Sequence, residues 1–340
     1  MGKRIGWIDT ARGISMALIL FFHTEMYYIG YDFIPYGLYV ANVLMAFFFI
    51  SGYLFYKEND NRRFSLKNKL RSIARGIIMP YFIFTTAMAL PKAVAHNNFT
   101  SLSELAANII MGRASWFVTA LAVAEILFAL AVAASEKYKA RWILPLSAVI
   151  TAATAFHIDC EAILVWNTNI ALMAVLYLYC GYIYHQNETK IASYIYGIRL
   201  LPILIAVILI KWYECSENMS MLVFPLDITS FPVFFIDTIL STLSIIGISK
   251  ILPTTPLMTF TGRNSIVYYF LCGGVPLIVS AIMGRIGLAF SGNYAMNIVA
   301  FIAVYAIATA MTWFICRYLP FVTGRRGITS SPRSTTADNV

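Results

Sequence analysis

The sequence predicts an all-α, polytopic transmembrane helix bundle of about ten helices with both termini cytoplasmic, and three observations carry that reading. The 340 residues are 60% hydrophobic and 12% charged, with a mean hydropathy of +0.73, too apolar for a soluble domain. The apolar runs are continuous, as a helix crossing a hydrocarbon core of about 30 Å requires, and show none of the alternation of a membrane β-barrel. The basic residues are also distributed unevenly: with ten crossings, 21 of the 25 fall on one side, leaving Lys92, Arg113, Lys211 and Arg285 on the other. Positive charge on the cytoplasmic side orients such a bundle, so the net charge of +9 is accounted for without nucleic acid.

Taken in order, helices are expected over 10–30, 34–56, 76–95, 114–135, 142–158, 166–186, 199–214, 229–250, 264–283 and 294–317, the fifth and seventh being the shortest. Lys3 and Arg4 precede the first apolar run, but no small-residue cleavage site follows it, so the first helix is expected to stay attached. Residues 1–323 read as one transmembrane domain without internal repeats. Residues 324–340 (GRRGITSSPRSTTADNV) read as a short disordered cytoplasmic tail. The five cysteines have no metal-type spacing, and no metal is expected. Cys160 and Cys215 fall in outer loops where they could form an oxidised pair, while Cys180, Cys272 and Cys316 read as apolar packing residues.

Function is sought in the polar residues within the apolar runs. The first run, IDTARGISMALILFFHTEMYYIG, carries Arg12 and His23 eleven positions apart. Eleven helical steps return nearly to the same azimuth and climb roughly 16 Å, so one face bears a guanidinium and, half a bilayer away, an imidazole. An ionisable group inside a span is costly unless it meets a polar cavity or partner. Snorkelling of Arg12 and a helix-bridging hydrogen bond from His23 are the competing structural readings. Asp9, three residues before Arg12, could position it, whereas Glu25 lies on a different face from His23.

Helix two ends FFFISGYLFYKE, where Ser51 and Gly52 would admit close approach by another helix or a ligand. Arg71 and Arg75 share a face at the entry to helix three, suited either to a phosphate or to a lipid headgroup. Trp116 opens helix four after MGRAS, and Glu125 lies on the opposite face, where it could orient His23 or tie helices together. In FTGRNSIVYYFLCGGVP, Gly262, Arg263, Asn264 and Ser265 form a helix start that could bind an anion or carbonyl oxygen, or simply cap the helix. His96, His157 and His185 lie near membrane surfaces and read as interfacial.

In these residues the chain resembles the integral membrane acyltransferases of the acyltransferase-3 family, particularly the fucose 4-O-acetylase-like group. The resemblance covers nearly the whole chain and rests on IDTARGISMALILFFH, FFFISGYLF, the basic run leading to Pro80 and Tyr81, WFVTAL, YCGYIY around Gly181, and TGRNSIVYY. It implies an enzyme, an O-acetyltransferase of about ten helices that moves an acetyl group from cytoplasmic acetyl-CoA to a hydroxyl of a cell-surface or lipid-linked sugar. His23 would be the general base or a transient acyl carrier, Arg12 would position the donor, and Arg71 and Arg75 would hold its phosphates. Asn264, Ser265 or the backbone near Gly52 would stabilise the oxyanion. Acetyl-CoA enters as a substrate, with no tightly bound cofactor. The bacterial inner membrane would be the site, with lipids as surroundings and a homodimer open. The chain departs from the family pattern at Cys272, where relatives often carry a histidine. A transporter or flippase for a lipid-linked sugar or small solute is the alternative; no repeated half with interrupted helices is evident for it. A structural or receptor-like subunit would leave His23 unexplained.

Overall fold

The computed structural model describes residues 5–56, 64–95, 101–158 and 164–324. His96, Cys160 and the tail after Gly324 lie outside the described residues, so the outer cysteine pair and the tail remain expectations.

The described chain is helical apart from one small hairpin. Its helices are α1 (Gly6–Tyr28), α2 (Tyr36–Tyr53), α3 (Leu66–Ile73), α4 (Met79–Ala95), α5 (Leu102–Ile110), α6 (Trp116–Tyr138), α7 (Ile143–His157) and α8 (Thr168–Gln186). They continue as α9 (Glu188–Ile195), α10 (Leu201–Ser216), α11 (Phe231–Ile251), α12 (Pro256–Arg263), α13 (Ser265–Leu271), α14 (Val275–Arg285) and α15 (Ala295–Tyr318). Between α10 and α11 sits an antiparallel hairpin of β1 (Met221–Leu222) and β2 (Asp227–Ile228), with Met221 opposite Ile228.

Each of the ten expected ranges coincides with helix, but they are not ten uniform spans. By length and apolarity five stretches qualify to cross a membrane: Tyr36–Tyr53, Leu66–Ala89, Trp116–Tyr138, Phe231–Ile251 and Ala295–Tyr318. Two bent pairs raise the count to seven. Helix α1 is 23 residues long yet loaded with buried polar groups, including Asp9, Thr10, Ser15, Thr24 and Glu25. That load marks it as an internal helix rather than a lipid-facing one.

The expected ninth helix, 264–283, is divided into α13 and α14 with a bend of 46°. Cys272, Gly273 and Gly274 fill the turn, and Pro276 at the start of α14 lacks the amide that a continuous helix would need. A sharper bend of 86° separates α9 from the helical stretch beginning at Gly197, whose φ of +64° suits glycine. Interrupted helices are therefore present, contrary to the sequence expectation. At α3, the Ser65 side chain accepts from the Asn68 amide at 3.4 Å and starts a helix that runs through a π-helical turn, Ala74–Ile78, into α4.

Two helix crossings set the interior. A Cβ on Gly52 of α2 would strike the Leu178 carbonyl oxygen, and one on Gly181 of α8 would strike that of Phe49. Likewise, a Cβ on Gly13 of α1 would meet the Met258 carbonyl, and one on Gly262 of α12 the Asp9 carbonyl. Each crossing thus uses one glycine from each partner, bringing backbones together as small residues do in membrane bundles. The choice left open at Ser51–Gly52 is settled for Gly52, which faces a helix.

Two polar locks supplement them. Lys211 on α10 donates to Asp237 on α11 at 2.7 Å, Glu214 at 3.0 Å and the Gly37 carbonyl at 2.6 Å, while Asn42 of α2 donates to Asp237 at 2.8 Å. Lys250 of α11 donates to Glu188 at 2.7 Å and the Tyr184 hydroxyl at 3.0 Å, and Tyr53 also donates to Glu188. His185 stacks on Tyr53 with ring centroids 3.8 Å apart. That histidine is a packing residue.

Replacing Gly262 or Gly181 by alanine is expected to cost about 2 kcal/mol each, because backbone rather than a flexible side chain occupies the added volume. Thermal melts of the detergent-solubilised protein should fall by several degrees for either variant. Gly284→Ala should leave the melt unchanged, since nothing lies within 4 Å of its Cβ position.

Candidate functional site

A cavity of about 1030 Å³ opens where α1, α2, α3, α6 and α13 converge. On α1 it is lined by Arg12 and Met16, on α2 by Phe47 and Ser51, and on α6 by Phe117 and Glu125. The same residues that shape the α1–α12 crossing place its charges. Gly262 lets α12 ride against α1, and Arg263, the next residue, lines the cavity while its Nε donates to Asp9 at 3.1 Å. Asp9 is thus a partner of Arg263, a pairing that the sequence spacing did not reveal.

Glu125 is nearly buried, with 7% exposure, and is held from two sides. Ser51 Oγ donates to its Oε1, and Lys69 Nζ lies 2.9 Å from its Oε2. The partners of this carboxylate in the cavity are therefore a hydroxyl on α2 and an ammonium on α3, not the imidazole of His23 considered from sequence. Lys69 also sits 3.7 Å above the Phe55 ring. Nothing in the sequence separates Lys69 from the other basic residues expected near a cytoplasmic surface; only folding turns it inward.

Helix α3 presents two faces. Lys69, Ser72, Ile73 and Gly76, at helical spacing, line the large cavity. Arg71 and Arg75 line an adjoining depression of about 350 Å³, whose wall shares Asn68, Ser72 and Gly76 with the cavity. Gly324, with φ of +69°, closes this depression by packing against the Arg75 carbonyl, where a Cβ would not fit. The two arginines are exposed and share one pocket, as their four-residue spacing predicts.

The far end of the cavity is aromatic. Phe47 and Phe117 meet edge-on at 5.8 Å, and Phe117 lies 5.3 Å from Tyr269, all three lining it. His23 is half-buried beyond Met16 on the same face of α1, seven residues and so roughly 10 Å further along the axis. Its ring meets Phe22 at 5.6 Å. One turn on, the Tyr27 hydroxyl is 4.0 Å from where a Cβ on Gly273 would stand, which puts the Cys272 turn beside the His23 end of α1. Cys272 itself is 2% exposed. Glu25 is wholly buried and accepts from Tyr294, away from the cavity.

The remaining sequence candidates separate. Trp116 stacks on Phe224 with centroids 5.3 Å apart and planes 4° apart, so it braces the start of α6. The loop before it is fixed by Asn167, which donates to the Gly112 carbonyl at 3.1 Å and to Thr119 at 2.9 Å. Asn264 donates to the Phe260 carbonyl at 2.8 Å and accepts from Cys316 at 3.3 Å, so its amide joins α12 to α15, and it is not among the residues that line the cavity. Ser265 does line the cavity.

A multi-pass helical membrane protein with a cation-lined cavity entered beside a basic helix is the class these features define. The chain matches the acyltransferase-3 family, described as an acyltransferase domain, over residues 5–317, and it belongs to that family of membrane acyltransferases. Comparison with curated proteins and with solved structures returned no match.

The burial pattern can be checked by thiol labelling under reducing conditions in detergent. Maleimide should modify the exposed Cys215 rapidly and the enclosed Cys272 many times more slowly, until the protein is unfolded.

Proposed function

We propose that this protein is a membrane-embedded O-acetyltransferase. It takes an acetyl group from cytoplasmic acetyl-CoA and places it on a hydroxyl of a cell-surface or lipid-linked sugar, in the cytoplasmic membrane of a bacterium. The observation that carries the reading is the cavity that joins Arg12 on α1 to the depression bearing Arg71 and Arg75, in a chain of this family. Guanidinium groups make paired, charge-assisted contacts to phosphates, and here Arg71 and Arg75 are exposed in the depression while Arg12 lines the cavity it adjoins.

In this reading the phosphates of CoA rest on Arg71 and Arg75 with Arg12 further in, and the pantetheine arm follows the Arg12–Met16 face of α1 toward His23. The Phe47, Phe117 and Tyr269 rings line the cavity along this route and give the arm an apolar wall. Neutral His23 then takes the proton of the attacking hydroxyl, and the proton returns to the CoA thiolate as it leaves. The charge balance of the transfer is zero. Direct attack with His23 as base and transient acetylation of His23 use the same geometry. Cys272, beside the turn near Tyr27, occupies the position where relatives often carry histidine, and it gives this chain an apolar wall on the acceptor side.

Interrupted helices at α9–α10 and α13–α14 answer one part of the sequence-based objection to transport of a lipid-linked sugar or small solute, the other part being the repeated half. Family membership is what favours transfer.

The deciding measurement uses purified protein in detergent, radiolabelled acetyl-CoA and extracted glycans. Labelled glycan should form, and His23→Ala should lower its rate by roughly a hundredfold or more. Charge reversal at Arg71 and Arg75 should raise the KM for acetyl-CoA and leave that for the acceptor unchanged. No labelled product, together with unimpaired complementation by His23→Ala in cells, would sink the acyltransferase reading.

A further inference from the structure

We infer that Glu125 holds the place of a donor phosphate on Lys69, so that CoA enters the cavity by exchanging its phosphate for this carboxylate. The inference rests on the donor-site reading above and adds to it one ligand, Lys69, and one internal competitor, Glu125.

The geometry points to exchange rather than a fixed tie. Lys69 lines the cavity from α3, whose neighbouring residues Asn68 and Ser72 belong to the wall that the cavity shares with the Arg71–Arg75 depression. A polyphosphate passing from one to the other comes within reach of its ammonium. That ammonium is a compact charge on a flexible four-carbon stem, able to swing where a guanidinium fork would lose its paired geometry. It rests over the Phe55 ring at 3.7 Å, a cation–π contact that holds the ammonium beside Glu125 without consuming a fixed acceptor. Its present acceptor, Glu125 Oε2 at 2.9 Å, is the type of oxygen a phosphate offers.

Glu125 is fixed independently of Lys69. Ser51 Oγ donates to its other oxygen, Oε1, so the carboxylate stays in the cavity wall when Lys69 leaves it. A carboxylate retained there opposes any phosphate that approaches, since both are anionic. The pair therefore does two things. It keeps a half-buried lysine and a buried carboxylate satisfied by each other, and it sets a threshold that only a strongly anionic donor overcomes. A lone helix tie would need neither the cavity lining nor the shared wall.

The test is calorimetric titration of CoA into the full-length protein in detergent, for the parent and three variants. Lys69→Gln should weaken CoA binding by about tenfold, the loss of one charge-assisted contact. Glu125→Gln keeps the size of the side chain and an acceptor for Ser51, and should tighten CoA binding several-fold. The double variant should bind more weakly than Glu125→Gln alone, because the ammonium that Glu125→Gln frees for the phosphate is then missing. Thermal melts run on the same samples report folding separately. Glu125→Gln binding CoA equally or more weakly than the parent while melting normally would overturn the inference, as would unchanged affinity in Lys69→Gln. If Glu125→Gln does not fold, Ser51→Ala, which loosens the carboxylate without removing it, must weaken the competition and tighten CoA; unchanged affinity there also overturns it. A parent protein that binds no CoA would fail the donor-site reading itself, which is a different result from these.

Discussion

The close approach of α1 to α12, made through Gly13 and Gly262, is the constraint on which the site depends. Each glycine faces a carbonyl of the other helix, so neither can gain a side chain without parting the backbones. That contact brings Arg263 against Asp9 and turns Arg12 to the cavity. The second crossing, between Gly52 and Gly181, does the same for α2 and α8, and it holds Ser51 where its hydroxyl reaches Glu125. In lipid there is no hydrophobic gain from bringing apolar helices together, so van der Waals contact at small residues and hydrogen bonds must supply the association. The glycines permit the contact, and the adjoining polar residues, Arg263 after Gly262 and Ser51 before Gly52, fix its register.

Charge is placed by the same economy. A lone ion inside the bundle would be prohibitive, and the lysines at 69, 211 and 250 each meet carboxylates from other helices. The Lys211 lock is the most enclosed of the three: Lys211 with Asp237, Glu214 and Asn42 joins α2, α10 and α11, and Asp237 is 1% exposed. The Lys250 lock binds four aromatic or acidic groups at the opposite end of α11. Lys69 differs from both because its pair lies on the wall of a cavity large enough to admit a ligand. Similar ion pairs thus serve different ends according to what lies beside them.

The face of α1 has a more complicated meaning than a straight channel. Arg12 and Met16 line the cavity together with the rings of Phe47, Phe117 and Tyr269, and His23 follows at the same azimuth without being part of that lining. Helix α13 supplies Tyr269 to the lining and ends at Cys272, in the turn beside Tyr27. The bend at Gly273 and Gly274 comes after Tyr269 and Cys272 and turns α14 away at 46° to α13.

By itself the sequence determined the helical class, the location of helix in all ten expected ranges, the family, and the side-by-side placement of Arg71 and Arg75. These follow from hydropathy, motif order and the 3.6-residue period, all local or additive along the chain. It did not determine that Asp9 partners Arg263 or that Glu125 meets Lys69 and Ser51 instead of His23. Nor did it determine that Asn264 joins two helices or that α13 and α14 part at a glycine pair. Those are facts of which helix lies against which, across separations as long as 254 residues for Asp9 and Arg263. A lysine in a basic loop and a lysine in a cavity wall read alike until packing turns one of them inward, and that is why only the tertiary structure could single out Lys69.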